Sequence, residues 1–303
     1  MDAEQLIEKM DAAETDEELR EIGEQLLELD PASPYGKFAV WQAMDYDESI
    51  ENMDLLGDAL DKIRAVVDAK TTPPVIDEDR DAQMYCEMLT QMGFSKLAQE
   101  KTEDALEAAR ELANFDDEGY YPGRTLLYRC MLDLGMYNDI LDALAKDPLE
   151  SVAGEHARAI AMMETDADAG EIRDAVNYAI SLAPDVPFLI LGIWDMPEEE
   201  EIEEDMEETV NYAAALMVPW CADDKRLAIL SAPTFLFGYL TNRLDDPKEI
   251  KVLLDGYEEA EVMADVKDAK KRIEDMEAEA KDPDEIDSNA LGFAAQIVEK
   301  MMG

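Results

Sequence analysis

Histidine occurs once in the 303 residues, at position 156. A single imidazole cannot supply the multi-histidine ligand sets that zinc and iron commonly use, so His156 points to a structural or surface role. Cysteine is nearly as scarce: Cys86, Cys130 and Cys221 stand far apart within apolar helical patterns. That placement predicts buried free thiols in a reducing cytoplasm rather than disulfides or a metal cluster. The longest nearly apolar run, Leu227 to Leu240, contains Ser231 and Pro233 and falls short of the roughly 20 residues a membrane span needs. The first twenty residues, MDAEQLIEKMDAAETDEELR, have neither the basic start nor the apolar centre of a secretory signal. There is no G-x-S-x-G elbow, no G-x-x-x-x-G-K-[ST] loop and no G-x-G-x-x-G fingerprint, which removes the usual anchors of nucleophile and phosphate-cradle chemistry. The expectation is a soluble, cytoplasmic, non-enzymatic chain with no cofactor and no metal.

Basic residues are the other shortage, 26 Lys and Arg against 75 Asp and Glu for a formal charge of −49. Such a surface repels nucleic acid and anionic lipid and draws basic partners. A solvated solubility surface and adaptation to a salty cytoplasm are the competing readings. Lysine outnumbers arginine and methionine reaches 18, a composition that fits salt adaptation poorly. With 47% apolar residues the chain has enough hydrophobic surface to offset the entropy of ordering its backbone. So many carboxylates also create acidic pairs at helical spacing by chance, so spacing alone carries little support for a carboxylate-only hydrolase. The acidic run Asp195–Glu208 lacks the D-x-[DN]-x-[DN]-G spacing of a calcium loop and reads as a solvated face running into a helix.

What is present is helical periodicity cut by proline. Pro31, Pro148, Pro184, Pro219, Pro247 and Pro283 each adjoin an apolar three-four pattern and mark helix boundaries, because proline lacks the amide donor and disfavours the helical region for its predecessor. No stretch alternates apolar and polar residues as a half-buried strand does. The class is all-α.

The tetrapeptide Val176-Asn177-Tyr178-Ala179 returns as Val210-Asn211-Tyr212-Ala213, 34 residues on, and the same displacement carries Leu182 onto Leu216. Between Ala82 and Phe115 the residues Leu89, Met92 and Gly93 precede Ala105 by twelve residues from the glycine, with Leu112 seven further. Small residues there let two helices approach, while large ones fill the gap to the next pair. A second unit starts at Gly119–Tyr128, including Arg124, and turns at Leu134-Gly135-Met136-Tyr137. In this period and these positions the chain resembles the tetratricopeptide-repeat family in a divergent form. The resemblance implies a TPR-like α-solenoid of stacked antiparallel helix pairs, which presents surfaces to other macromolecules. Composition and punctuation divide the chain into a helical segment 1–68, a connector 69–79 around Pro73-Pro74, a repeat array 80–246 and charged helices 247–303. In the last segment, Ile250, Leu253, Tyr257 and Ala260, then Val266, Ala269, Ile273 and Met276, form the seam of a long helix from Pro247 to about Ala280. A shorter helix from about Asp287 to Met301 is expected to cap the array.

Aligned on Leu89, Met92 and Gly93, the resemblance points Thr90, Phe94 and Leu97 toward a concave groove, and Thr125, Arg129 and Leu132 in the following unit. Arg124 and Arg129 can clamp a carboxylate bidentately or else pair with neighbouring acids. Tyr120, Tyr121, Tyr128, Trp41, Trp194 and Trp220 are candidates for core packing or for partner anchors. The expected function is a protein-interaction scaffold holding a peptide or helix of a basic partner, with no direct nucleic-acid or membrane contact. The alternative is an acidic nucleic-acid mimic that occupies a DNA-binding protein.

Overall fold

A computed structural model describes residues 1–147, 149–165, 167–198, 202–203, 205–244 and 259–302. Among the described residues the chain forms sixteen α-helices, one short 3-10 turn and no strand. The chain divides into two compact units, Met1–Cys130 and Met131–Gly303.

The first unit contains α1 (Ala3–Met10), α2 (Asp16–Leu29), α3 (Pro34–Gln42), α4 (Tyr46–Glu51), α5 (Met53–Asp68), α6 (Arg80–Ala98) and α7 (Thr102–Phe115), followed by most of α8 (Gly123–Asp133). Short polar side chains start these helices by accepting the first free amides. Asp2 does so for Gln5, Thr15 for Glu18, Ser33 for Gly36, Asp45 for Glu48 and Asp79 for Asp81 and Ala82. Pro34 sits at the first position of α3, where its missing amide costs nothing. Each long helix packs on the next: α1 on α2, α2 on α3, α3 on α5, α5 on α6 and α6 on α7. Alternate helices also meet, since Tyr35 of α3 donates to Asp81 of α6 at 2.7 Å and Arg64 of α5 forks onto Glu111 of α7 with both bonds at 2.9 Å. The buried side chains Phe38, Ile63, Leu89 and Leu112 belong to one continuous core of this unit. Burying each such side chain contributes about 1.5–3 kcal/mol before the entropy of ordering it is subtracted.

The second unit contains α9 (Tyr137–Leu144), α10 (Val152–Glu164), α11 (Ala169–Leu182), α12 (Val186–Ile190), α13 (Glu207–Cys221), α14 (Asp224–Leu240), α15 (Glu259–Ala278) and α16 (Pro283–Met302). Its packing is less sequential. Helix α10 touches α9, α11 and α13, while α16 packs on α15 and α14 and returns to α11. The repeated tetrapeptide keeps one register in two settings. Val176 and Ala179 of α11 and Val210 and Ala213 of α13 are all buried, whereas Tyr178 is exposed and Tyr212 half-buried. Helix α11 closes a pair with α10, while α13 follows α12 and leads into α14.

Several expectations are corrected here. Pro219 does not bound a helix but lies inside α13, two residues before its end; only the last turn loses a hydrogen bond there, and the proline carbonyl accepts from Arg226 Nη1 at 2.6 Å. Pro233 lies inside α14, and the hydroxyls of Ser231 and Thr234 bond the carbonyls of Leu227 and Leu230 at 2.6 and 2.7 Å. Cys221, the last residue of α13, is exposed, unlike the buried Cys86 and Cys130. The final helix begins at Pro283 rather than Asp287, with Leu291, Ala294, Ile297 and Val298 buried. Of the long charged helix, α15 is described and buries Val266, Ala269 and Ile273. Pro148 and the stretch with Pro247, Ile250, Leu253 and Tyr257 lie outside the described residues. No helix among the described residues is long and apolar enough to cross a membrane.

Candidate partner-binding surface

Helix α6 is the longest of the first unit, and its middle carries the residues of interest. Gly93 is required by close approach: a Cβ there would stand 2.2 Å from Leu126 Cδ2 of α8 and 3.7 Å from Ala108 Cβ of α7. The glycine thus lets α6 lie against both neighbours. Thr90, Phe94 and Leu97 flank that contact on α6, and Thr125 and Arg129 flank it on α8.

The six candidate residues differ in how free they are. Thr90 is half-buried and its hydroxyl donates to the Cys86 carbonyl at 2.9 Å. Phe94 is 36% exposed. Leu97 and Thr125 are half-buried. Arg124 donates to the carbonyls of Asp116 and Asp117 at 3.2 and 3.3 Å, closing the end of α7. Arg129 is half-buried and has an interaction partner of its own.

The loop that leads into α8 is organised by Asp116, whose buried carboxylate accepts the amides of Gly119 and Tyr120 at 3.0 Å and of Tyr121 at 2.6 Å. This fixes Tyr121 beside α6. Burial, followed by the charges of Cys86, Glu87 and Asp116, pushes the Tyr121 phenol up to about 12. Burial likewise pushes the Cys86 thiol up to about 12, with Asp116 adding to it. Neither group is ionised at neutral pH, so Cys86 is an inert packing thiol rather than a nucleophile.

Sequence reasoning missed Glu87, although its signal was available: it stands three residues before Thr90 and seven before Phe94, on the same face of α6. Burial raises the Glu87 carboxyl, opposed in smaller measure by the Gln42 amide, which reaches it from the end of α3 at 3.3 Å. Two carboxylate networks on the same helix were also missed. Asp79 and Asp81 share Lys70 at 2.5 and 2.9 Å, and Tyr85 donates to Glu111 beside Arg64. Of the aromatic candidates, Trp41, Tyr128 and Trp220 are core, Tyr121 and Trp194 are half-buried, and Tyr120 is exposed.

Compared with known proteins, the chain matches no family model, no curated protein and no solved structure. Function is therefore argued from the chain's own geometry. No cluster of His, Cys, Asp and Glu able to hold a metal occurs among the described residues. His156 is fully buried, with Nδ1 accepting from Trp220 Nε1 at 3.1 Å.

Proposed function

We propose that the chain is a non-enzymatic interaction scaffold of tetratricopeptide-like type, working in the cytoplasm, which holds a peptide or helix of a basic partner against α6 and the start of α8. The observation that carries this reading is Phe94, a large apolar side chain left 36% exposed in a chain whose surface charge is overwhelmingly negative. Aromatic side chains dominate the hot spots of binding surfaces. The reading is further supported by the succession of helix packing in the first unit, where each helix rests on the next and alternate helices meet. It is supported too by the fate of the cations: Arg20, Lys37, Arg64, Lys70, Arg80, Arg226, Arg243, Arg272 and Lys300 all pair internally. The surplus acid is left to draw a basic partner and speed its encounter.

Fluorescence anisotropy with a labelled basic, amphipathic peptide tests the reading. Phe94→Ala is expected to weaken binding about tenfold, Arg129→Ala less, and wild-type affinity is expected to fall steeply between low and high salt. Binding indifferent to salt contradicts the electrostatic half of the proposal.

One observation favours the alternative of a nucleic-acid mimic. Glu17, Glu21, Glu24 and Glu28 are all exposed on one stripe of α2, about 5 Å apart along the axis. On that reading, changing these four glutamates to glutamine abolishes binding to a DNA-binding protein while Phe94→Ala leaves it intact.

A further inference from the structure

Among the described residues most half-buried carboxylates are answered by a cation of the chain, and Glu87 on α6 is not. Asp79 and Asp81 share Lys70, Glu111 has Arg64, Glu155 has Arg158, Glu164 has Arg226, and Asp185 and Asp287 share Arg243. Asp116 is satisfied by three backbone amides. Glu87 lies half-buried on the middle of α6, between Gln42 of α3 and Tyr121 at the start of α8. Its sole hydrogen bond among the described residues is the 3.3 Å contact from the neutral Gln42 amide, and it takes part in no ion pair there. A carboxylate withdrawn from water with no cation opposite is electrostatically incomplete, and a lysine or arginine brought to it regains much of what desolvation costs.

Phe94 stands seven residues further along the same face, so its side chain emerges about 10 Å from that of Glu87 at about 1.5 Å of rise per residue. A peptide in the polyproline II conformation covers about the same distance in three residues, and its threefold repeat returns the third side chain to the same face. We propose that Glu87 receives a lysine or arginine side chain of the partner, and that Phe94 receives an apolar side chain three residues away in a polyproline II segment, a recognition rule that rests on the scaffold reading above. The proposal explains why this one acid of α6 was left without a cation while Asp81, one and a half turns earlier, was given Lys70. It also separates a shaped contact from the general pull of a −49 chain, which every cationic peptide feels alike.

Two labelled dodecapeptides of equal charge, otherwise built from alanine, glycine and glutamine, supply the test. In one, a single lysine precedes a single phenylalanine by three positions; in the other the two are adjacent. Anisotropy titration of the full chain is expected to give about a tenfold preference for the three-position peptide. Glu87→Gln is expected to bring the two peptides to equal affinity, with circular dichroism and thermal midpoint unchanged, and Glu87→Asp to keep part of the preference. Equal affinities in the wild type, or a preference that survives Glu87→Gln, overturn the assignment. If the wild type binds both peptides equally and Phe94→Ala weakens both, the scaffold reading stands without Glu87. If neither peptide binds, both readings fall.

Discussion

Between pH 6.5 and pH 4.5 the wild-type chain is expected to lose about 2 kcal/mol of stability through His156 alone. The side chain is fully buried in α10, and burial pushes its pKa from the ordinary 6.5 down to about 3. Trp220 Nε1 donates to Nδ1, so Nε2 carries the proton of the neutral ring and finds no partner among the described residues. Protonating the ring in place would set a charge in an apolar site and turn Nδ1 from acceptor into a donor facing another donor. Because the folded pKa lies below the unfolded one, the stabilisation is complete above about pH 6.5. It is lost as pH falls toward 3, at about 1.4 kcal/mol per pH unit. Acidification also relieves repulsion among the many carboxylates, which acts in the opposite direction. Urea denaturation of wild type and His156→Gln in parallel removes that common effect, since glutamine can accept from Trp220 without titrating. The wild type should lose stability relative to the variant across this range; parallel pH profiles would show that His156 is not held neutral.

Arg226→Met is expected to cost about 3 kcal/mol. The guanidinium is almost wholly enclosed and serves four helices: Nε and Nη2 bond Glu164 of α10 at 3.1 and 2.8 Å, Nη2 reaches the Tyr137 hydroxyl of α9 at 3.1 Å, and Nη1 takes the Pro219 carbonyl of α13 at 2.6 Å, while Arg226 itself belongs to α14. Removing it strands a partly enclosed carboxylate and a buried carbonyl together. The figure stays near the lower end for broken buried pairs because the Glu164 side chain keeps 31% of its exposure. Arg226→Lys should recover less than half, since an ammonium cannot present the planar fork. The double variant Arg226→Met with Glu164→Met should be more stable than Arg226→Met alone, because no uncompensated charge remains. Chemical denaturation midpoints of these proteins and of the Glu164→Met single variant check this, and additive losses would count against a coupled pair.

The all-helical class was legible because its signals are local. Prolines, caps such as Thr15 and Asp79, and the absence of alternating runs act within a few residues. The unit from Ala82 to Phe115 falls on α6 and α7, with Gly93 at a close helix contact as its size suggested. What failed to show were relations between distant parts of the chain. Pro219 looks like a boundary in isolation, but its carbonyl is taken by Arg226 seven residues on and the helix carries through it. Cys221 sits in an apolar pattern yet ends α13 exposed, because amphipathic registers cannot say which stripe another helix will cover. Arg124 donates to the carbonyls of Asp116 and Asp117 at the end of α7, a placement spacing alone did not fix. Glu87 was hidden by abundance. Among 75 acids, a half-buried one with no cation opposite is identified by where Lys70, Arg64 and their like come to rest, which depends on packing rather than on spacing.

The central claim, that a basic segment is held on α6 and the start of α8 rather than by the acid surface at large, is tested most directly by amide chemical-shift mapping of the full chain with the three-position lysine peptide. The account predicts the largest shifts between Gln83 and Leu97 and between Gly119 and Arg129, with α2 and the acidic stretch around Glu203 nearly unmoved. Shifts spread evenly over the acidic surface, or concentrated on the α2 glutamates, would contradict it.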